Sequence, residues 1–241
     1  PNDGHMTVDV DAASPYYMEG SPLQYSWSAE FDLPKMVELR NGEEGLACAL
    51  DNFVYHTKNQ TGPVDMSGSF GAISLGNEPS MHIPYLYSLV GYPERTQELV
   101  GHLMDGLFTD KADGLPGNDD LGQMSSWAIF TMLGFYPVDP CSGEYALGRP
   151  FVEEAELTLH DGGRLKIKAH DQSDENVYVK QLRWNGKDLD VARPKLSFDM
   201  IAGGGLLEFW MSNKPALGQR LVCRKEGQQQ QDQQKQQSSV R

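Results

Sequence analysis

Residues 76–85 read Gly-Asn-Glu-Pro-Ser-Met-His-Ile-Pro-Tyr, and residues 117–125 read Gly-Asn-Asp-Asp-Leu-Gly-Gln-Met-Ser. Each segment places carboxylates and amides on a turn marked by glycine or proline, directly before a helical pattern. The amino end of a helix favours anions and oxygen-rich ligands, because its N–H groups and its dipole are positive there. Two such turns could build one polar pocket at the mouth of a helical domain. The sequence therefore predicts a site that binds a sugar or a metal.

Composition limits the class of protein. The chain has 241 residues, which is enough for one large or two small domains, and we expect two. Its net charge is −14, and no cluster of Lys and Arg longer than a pair occurs before the tail. Nucleic acid is excluded as a partner because phosphate binding needs a concentrated basic face. The sequence also lacks the run of about eighteen apolar residues that a membrane span requires.

The ends of the chain and its cysteines give weaker signals. The chain begins at Pro1 without an initiator Met or a signal-like apolar segment, so it is expected to come from the middle of something longer. Cys48, Cys141 and Cys223 are widely separated. Their spacing matches neither a zinc site nor a framework of paired disulfides, so we expect buried or free thiols.

Apolar residues recur at helical spacing through the first part of the chain, and then the period changes. Helices are predicted over residues 24–40 (with an interruption at Pro34), 43–56, 80–90, 93–108 and 123–133. Beyond Pro137 the pattern alternates, which predicts strands over residues 156–160, 165–168, 177–179, 196–198 and 206–210, with hairpin turns at 161–163 and 185–186. We therefore expect an α+β chain: a helical part over residues 1–140, an antiparallel β module over 141–224 and a disordered Gln-rich tail over 225–241.

The polar turns can serve two compatible kinds of chemistry. Their oxygen-bearing side chains are Asn77, Glu78, Asn118, Asp119, Asp120 and Gln123. Calcium prefers carboxylate, amide and carbonyl oxygens from flexible turns, whereas zinc would need a His or Cys cluster. Two carboxylates in different surroundings could instead work as general acid and base. Helix capping is a further explanation for each Asp or Asn taken alone.

Three longer segments carry a family resemblance. They are residues 19–27, Glu-Gly-Ser-Pro-Leu-Gln-Tyr-Ser-Trp, residues 76–87, and residues 113–127, which run from Asp-Gly to Gln-Met-Ser-Ser-Trp. These segments resemble the motifs of glycoside hydrolase family 92, the calcium-dependent exo-acting α-mannosidases. Residues 133–138 and 144–148 are also similar, and the likeness extends over about residues 16–213.

The resemblance implies an architecture. The helical part would be the second half of an (α/α)6 barrel, and the β module would follow it. The family's amino-terminal β-sandwich and earlier barrel helices are missing from this chain, so they are expected in a longer parent.

The resemblance also implies roles for individual residues. Glu19 would be the general acid, and Asp119 and Asp120 would supply the general base, with Asp120 preferred. Asn77 and Glu78 would help to hold Ca²⁺ against two hydroxyls of the sugar, and Gln24, His82 and Gln123 would line the substrate site. Such chemistry inverts the anomeric centre, for which the two carboxyl groups should lie roughly 6.5–9.5 Å apart.

The chain departs from the family motifs at a few positions. Met81 stands where the motif has the first His of a His-His pair, and Glu30-Phe31 stand where it has Pro-His. Ser21 replaces an Asn. These changes imply an altered specificity at the sugar site.

The first hypothesis is hydrolysis of terminal α-linked mannose from mannose-containing glycans, of the α-1,2 type, by a secreted or periplasmic enzyme. A second hypothesis is a non-catalytic carbohydrate-binding remnant. A third is an inactive fragment whose activity requires the longer parent.

Overall fold

The computed structural model describes residues 17–56, 67–218, 221 and 223. Helices occupy most of the first half and strands most of the second, so the α+β class that the change of period predicted is confirmed. The predicted disordered tail at residues 225–241 lies outside the described residues.

Seven α-helices are present in the described part of the chain. They are α1 Pro22–Tyr25, α2 Leu33–Leu39, α3 Glu43–Asp51, α4 Leu86–Leu89, α5 Pro93–Leu107, α6 Gln123–Leu133 and α7 Phe198–Ala202. The helices predicted over residues 93–108 and 123–133 are confirmed as α5 and α6. A π-helical turn, Asn52–His56, follows α3, and the two together span the helix predicted over residues 43–56. None of the helices in the described residues is long and apolar enough to cross a membrane.

Two predicted helices are broken by local chemistry. The prediction over residues 24–40 placed the interruption at Pro34, but Pro34 lies in the first turn of α2, where its missing N–H costs nothing. The break falls instead between α1 and the short 3-10 turn Glu30–Asp32, and Asp32 caps α2 by accepting a hydrogen bond from the Lys35 N–H at 3.1 Å.

The second break lies in the prediction over residues 80–90. The structure has 3-10 turns at Glu78–Ser80 and Ile83–Tyr85 before the short α4. The hydroxyl of Thr96 donates to the Pro84 carbonyl at 2.8 Å and accepts from the Ser88 N–H at 3.1 Å. In an α-helix the Ser88 N–H would bond directly to the Pro84 carbonyl, but here the Thr96 hydroxyl lies between the two groups. The α-helix is therefore stopped from starting earlier.

Ten strands in the described residues form three sheets. They are β1 Ser69–Phe70, β2 Ile73–Ser74, β3 Phe135–Tyr136, β4 Glu144–Leu147, β5 Glu154–Thr158, β6 Arg164–His170, β7 Tyr178–Trp184, β8 Lys187–Asp188, β9 Lys195–Ser197 and β10 Gly205–Ser212. The sheet orders are β1-β2, β3-β4-β9 and β5-β6-β10-β7-β8. The predicted hairpin turns join β5 to β6 and β7 to β8, and at the latter both Asn185 and Gly186 have positive φ, as a tight turn requires.

The large sheet is not purely antiparallel, and the prediction of an antiparallel module is corrected at this point. Strand β10 lies between β6 and β7 and runs parallel to β6 and antiparallel to β7. The alternating pattern of β10 fixes which side chains face the core. It does not fix the direction in which the strand runs, because that depends on the preceding connection through α7.

Two apolar cores meet at α6. The first packs the helices around the 76–90 segment and includes Leu46, Leu99, Leu103, Tyr85 and Trp127. The second lies under the large sheet and includes Leu165, Ile167, Leu182, Leu207 and Phe209. Phe130 of α6 packs against both cores, so the helical part and the sheets share packing at their junction. The division at residues 140 and 141 stays a prediction.

Polar side chains on one face of helix α5 form hydrogen bonds with the large sheet and with the segment that follows it. Glu94 accepts a hydrogen bond from the Leu217 N–H at 3.1 Å, and Gln97 accepts one from the Val179 N–H at 3.1 Å. Glu98 accepts one from the Tyr178 hydroxyl at 2.6 Å. Because spacings of three and four residues place side chains on the same side of a helix, one face of α5 makes all of these contacts.

A buried ionic network adjoins this face. Asp51 of α3 accepts hydrogen bonds from the Tyr87 hydroxyl at 2.8 Å and from the Arg95 guanidinium at 2.9 Å. Arg95 also contacts Glu98 at 3.1 Å. Burial and the nearby Asp51 carboxylate raise the pKa of Tyr87, which keeps its hydroxyl protonated as the donor.

The expectation of free thiols is wrong for two of the three cysteines. Cys48 of α3 and Cys223, beyond β10, form a disulfide, with Cα atoms 5.3 Å apart and 175 positions apart in sequence. Spacing could not reveal this pair, because the fold brings together residues from opposite ends of the described chain. Cys141 is exposed and free.

We predict that removal of this disulfide destabilises the protein strongly. The cross-link closes a long loop, so Cys48→Ser with Cys223→Ser should lower the free energy of unfolding by on the order of 2–5 kcal/mol. Urea denaturation with and without a reductant measures this change. Cys141→Ser is the matched control and should behave like the parent. A parent protein whose midpoint is insensitive to the reductant would contradict the prediction.

We also predict that Asp51→Asn weakens the helical part. Arg95 would lose one of its two counter-charges in a half-buried setting, which should cost about 2 kcal/mol after allowing for its partial exposure. Thermal unfolding of Glu144→Gln provides the comparison, because Glu144 pairs with Lys195 at the surface and its loss should cost less than about 0.5 kcal/mol. Equal effects of the two substitutions would contradict the role of the network.

Candidate functional site

Close contact of two glycines brings the two polar turns together. A Cβ atom added to Gly117 would lie 2.8 Å from the Cα of Gly76 and 3.0 Å from its carbonyl oxygen, so neither chain leaves room for a side chain there. Gly76 is held in turn by its N–H, which donates to the Ser67 carbonyl at 3.1 Å. Asn77 and Asn118, the residues that follow the two glycines, therefore lie on neighbouring turns.

Glu19 joins the same region through its main chain. The side-chain amide of Asn77 donates to the Glu19 carbonyl oxygen, and its oxygen accepts a hydrogen bond from the Glu78 N–H at 3.1 Å. Glu19 is exposed and has a φ of 51°, which is uncommon for a residue other than glycine. A strained backbone of this kind is a recognised feature of functional sites.

Gln24 links this region to the small hairpin of β1 and β2. Its oxygen accepts from the Ser21 N–H at 2.7 Å, and its amide nitrogen donates to the Ala72 carbonyl at 3.1 Å and to the Ser74 hydroxyl at 2.8 Å. The side chain is buried, and both ends of its amide are bonded to protein groups. The bond to Ser21 holds the main chain two residues after Glu19. Contact between Gln24 and a substrate stays a prediction.

The two neighbouring aspartates differ in their hydrogen bonds. The carboxylate of Asp119 accepts from the N–H and the hydroxyl of Ser125, at 2.8 Å and 2.9 Å, so it caps the first turn of α6. Asp120 is exposed and has a φ of 37°; its carbonyl accepts from the Gln123 N–H at 3.2 Å, but its carboxylate has no hydrogen bond or ion pair with the described residues. The strained turn therefore presents the Asp120 carboxylate with its oxygens available.

The start of α6 contributes Gln123. Its amide nitrogen donates to the sulfur of Met81 at 3.3 Å and to the hydroxyl of Tyr136 at 3.4 Å. Burial raises the pKa of Tyr136 to about 12, and the carboxylates of Glu30 and Glu78 contribute to the rise. The carboxylates of Glu30 and Glu78 therefore act on the same hydroxyl that Gln123 contacts.

His82 lies beneath this cluster, with 7% of its surface exposed. Its Nε2 is 2.8 Å from the carbonyl of Trp27, which can only accept, so Nε2 carries the proton. Burial lowers the pKa of His82, although the hydrogen bond to Trp27 and the nearby Glu30 act in the opposite direction. The ring is therefore favoured in its neutral form.

Glu30 is the site residue that sequence reasoning missed. Its Oε2 lies 3.7 Å from His82 Nε2, is buried, and has no hydrogen-bond partner among the described residues. A signal was present, because Glu30 stands where the resembled motif has proline. We treated the change as the loss of a motif residue and overlooked the carboxylate that it adds.

The side chains expected to hold calcium can be tested for their chemistry. Asn77 and Glu78 supply amide and carboxylate oxygens, which suit calcium better than zinc. Within the described residues there is no group of three or more His, Cys, Asp or Glu side chains that could hold a metal. The donor types therefore fit, and a complete calcium shell would need main-chain carbonyls or water in addition.

Comparison with known proteins gives a consistent set of matches. The model of the family described as "Glycosyl hydrolase family 92 catalytic domain" matches residues 2–213. A family GH92 α-mannosidase from Bacteroides thetaiotaomicron, solved in complex with mannoimidazole, is 33% identical with a TM-score of 0.79. A family GH92 inverting mannosidase from the same organism is 29% identical with a TM-score of 0.75. A curated relative named "Uncharacterized secreted glycosidase", from Arthroderma benhamiae, is 27% identical over 195 residues.

The chain is much shorter than these proteins. The matches cover 88% of this chain and 29% or 30% of the two solved mannosidases, and 78% of this chain and 23% of the secreted glycosidase. Since the family model nevertheless accounts for most of the sequence, and its match includes every turn of the site described above, this chain belongs to glycosyl hydrolase family 92.

Proposed function

We propose that this chain takes part in the hydrolysis of terminal α-linked mannose from glycans, with inversion at the anomeric carbon. The observation that carries the proposal is the meeting of three turns: Gly117 contacts Gly76, and Asn77 bonds to Glu19. The turns that carry Glu19 and Asp120 therefore lie in one region of the fold. Solved members of the family that resemble this chain are an α-mannosidase and an inverting mannosidase, which supports this substrate and this stereochemistry.

In the proposed reaction, a water molecule attacks the anomeric carbon while the bond to the departing oxygen breaks. Asp120 accepts a proton from the water, and Glu19 gives a proton to the departing oxygen. This division suits the geometry, because the Asp120 carboxylate has no partner among the described residues whereas the Asp119 carboxylate is bonded to Ser125. Asp119 is then best explained as the residue that holds the turn and orients Asp120.

Asn77 and Glu78 are the residues that would hold calcium in this scheme. A bound Ca²⁺ would supply positive charge that attracts two neighbouring sugar hydroxyls. Asn77 has a further role that needs no metal, since its amide holds the Glu19 carbonyl. His82 follows this turn in the sequence and Gln123 begins α6, and both would line the sugar site together with Gln24.

The wider setting is also part of the proposal. The helices would form half of an (α/α)6 barrel, and the linkage cleaved would be of the α-1,2 type. Disulfides form and persist in oxidising compartments, so the Cys48–Cys223 bond supports secretion or a periplasmic location. The secreted relative supports the same location.

A second candidate is a carbohydrate-binding role without catalysis. The presence of Met81 favours it, because a thioether sulfur occupies the amide of Gln123 in place of a histidine that could bind sugar. Binding of mannose without any release from mannosides would identify this role.

We predict that the purified protein releases mannose from α-linked mannobioses and that a calcium chelator removes most of this activity. Proton NMR of the first turnovers should show the β-anomer of mannose before mutarotation, because inversion converts the α-linkage. Added Ca²⁺ should restore the activity after chelation, whereas added Zn²⁺ should not. Initial release of the α-anomer would exclude the inverting mechanism.

We further predict a graded response to substitution of the carboxylates. Glu19→Gln and Asp120→Asn should each lower kcat by roughly 10²–10⁴-fold, which is the usual contribution of a general acid or base. Asp119→Asn should lower kcat by less than about tenfold, because an amide oxygen can still accept from Ser125. Asp188→Asn, on the exposed strand β8, is the control. A larger loss for Asp119→Asn than for Asp120→Asn would reverse the assignment of the base.

A further inference from the structure

The carboxylate of Glu30 has an unsatisfied oxygen inside the candidate site. Glu30 begins the 3-10 turn that follows Trp27, and its Oε2 is buried without a hydrogen-bond partner among the described residues. A buried acceptor without a donor is costly, because the hydrogen bonds that water provided are lost. Native structures keep such groups mainly where a ligand or a water molecule completes them.

His82 Nε2, which lies 3.7 Å away, does not satisfy this oxygen. Its proton is committed to the Trp27 carbonyl at 2.8 Å, and a neutral imidazole has no second N–H to offer. The distance to Glu30 also exceeds that of a hydrogen bond. Glu30 and His82 therefore attract each other at most weakly, and the oxygen needs a donor from elsewhere.

The surrounding cluster is rich in carboxylate acceptors. Glu30 and Glu78 both lie close enough to the Tyr136 hydroxyl to affect it, and the donor bonds of Gln123 already go to Met81 and Tyr136. A ligand that fits these acceptors carries several O–H groups, as a sugar does. A carboxylate that pairs with hydroxyls also gives a site strong discrimination against ligands that lack one of them.

We propose that Glu30 is a specificity-determining residue of the sugar site, whose carboxylate accepts a hydrogen bond from one hydroxyl of the bound mannose. This proposal rests on the proposed function and deepens it. It concerns a position at which this chain departs from the resembled motif, which has proline there. Glu30 would supply a polar contact in a site that has Met81 in place of a histidine.

The test combines Glu30→Gln with substrates that each lack one hydroxyl. Nitrophenyl α-mannoside and its monodeoxy analogues would be compared by kcat/KM. Replacement of the charged acceptor should lower kcat/KM for the parent substrate by about 10- to 100-fold, the range for a hydrogen bond to a charged group. For one deoxy analogue this loss should disappear, because the substrate no longer offers the donor that Glu30 accepts.

Glu38→Gln is the matched control. Glu38 belongs to α2, is exposed and pairs with Lys35 at 2.7 Å, so its substitution should leave every kcat/KM unchanged. The thermal midpoint of each variant checks folding. If Glu30→Gln lowers kcat/KM by the same factor for every analogue, or does not lower it, the proposed hydroxyl contact is wrong. A changed calcium requirement with an equal loss for all analogues would instead make Glu30 part of a cation site, which also overturns the proposal.

Failure of the proposed function can be separated from failure of this inference. If the parent protein hydrolyses none of the mannosides, isothermal titration with mannose and the monodeoxy mannoses replaces the kinetic assay. Glu30→Gln should then raise the Kd for mannose by about 10- to 100-fold and leave the Kd for one deoxy sugar unchanged. A pattern of this kind would support the role of Glu30 in a protein that binds sugar without cleaving it. Equal affinities of the parent and the variant for every sugar would overturn that role.

Discussion

The contact between Gly76 and Gly117 is the constraint on which the candidate site depends. Two main chains approach so closely there that any side chain would meet backbone atoms, and main chain cannot move aside as a side-chain tip can. The contact sets the relative position of two turns that are far apart in sequence. The bond from Asn77 to Glu19 then adds a third turn to the pair. Positions held by main chain in this way suit chemistry that requires fixed distances between functional groups.

A second group of interactions keeps the helices in register with the sheets. Polar side chains of α5 bind main-chain N–H groups and the Tyr178 hydroxyl, while the hydroxyl of Thr96 completes the interrupted helix at Pro84. These bonds satisfy groups that neither a helix nor a strand ladder satisfies. The segment of residues 76–90 is consequently irregular and yet almost entirely buried. Its two 3-10 turns begin at Glu78 and Ile83, directly after Asn77 and His82.

The sequence predicted the parts of the fold that depend on local pattern. The helices α5 and α6, the strands β5, β6, β7, β9 and β10, and both hairpin turns follow from periodicity and from glycine at the turns, whereas the short strands β1 to β4 and β8 were not predicted. The break before Leu86 depends on Thr96, the direction of β10 on a distant connection, and the Cys48–Cys223 pair on the whole fold, so none of these could be inferred locally. At the site, the polar turns were predicted to lie together, and their glycine contact agrees with this. Glu30 was missed because its importance lies in an unsatisfied oxygen, which a sequence does not reveal.

The disulfide has a topological consequence. Residues 48–223 form one covalent ring, so a single peptide-bond cleavage anywhere between them opens the ring without releasing a fragment. Asn77, Glu78, His82 and both aspartates lie inside the ring, whereas Glu19 and Glu30 lie on the segment outside it. A nick in an exposed loop of the ring would therefore leave the turns at residues 76–85 and 117–125 covalently tethered to each other. A nick between Glu30 and Cys48 would instead cut the covalent link between Glu19 and these turns, so that the hydrogen bond from Asn77 would be left to hold Glu19 in place.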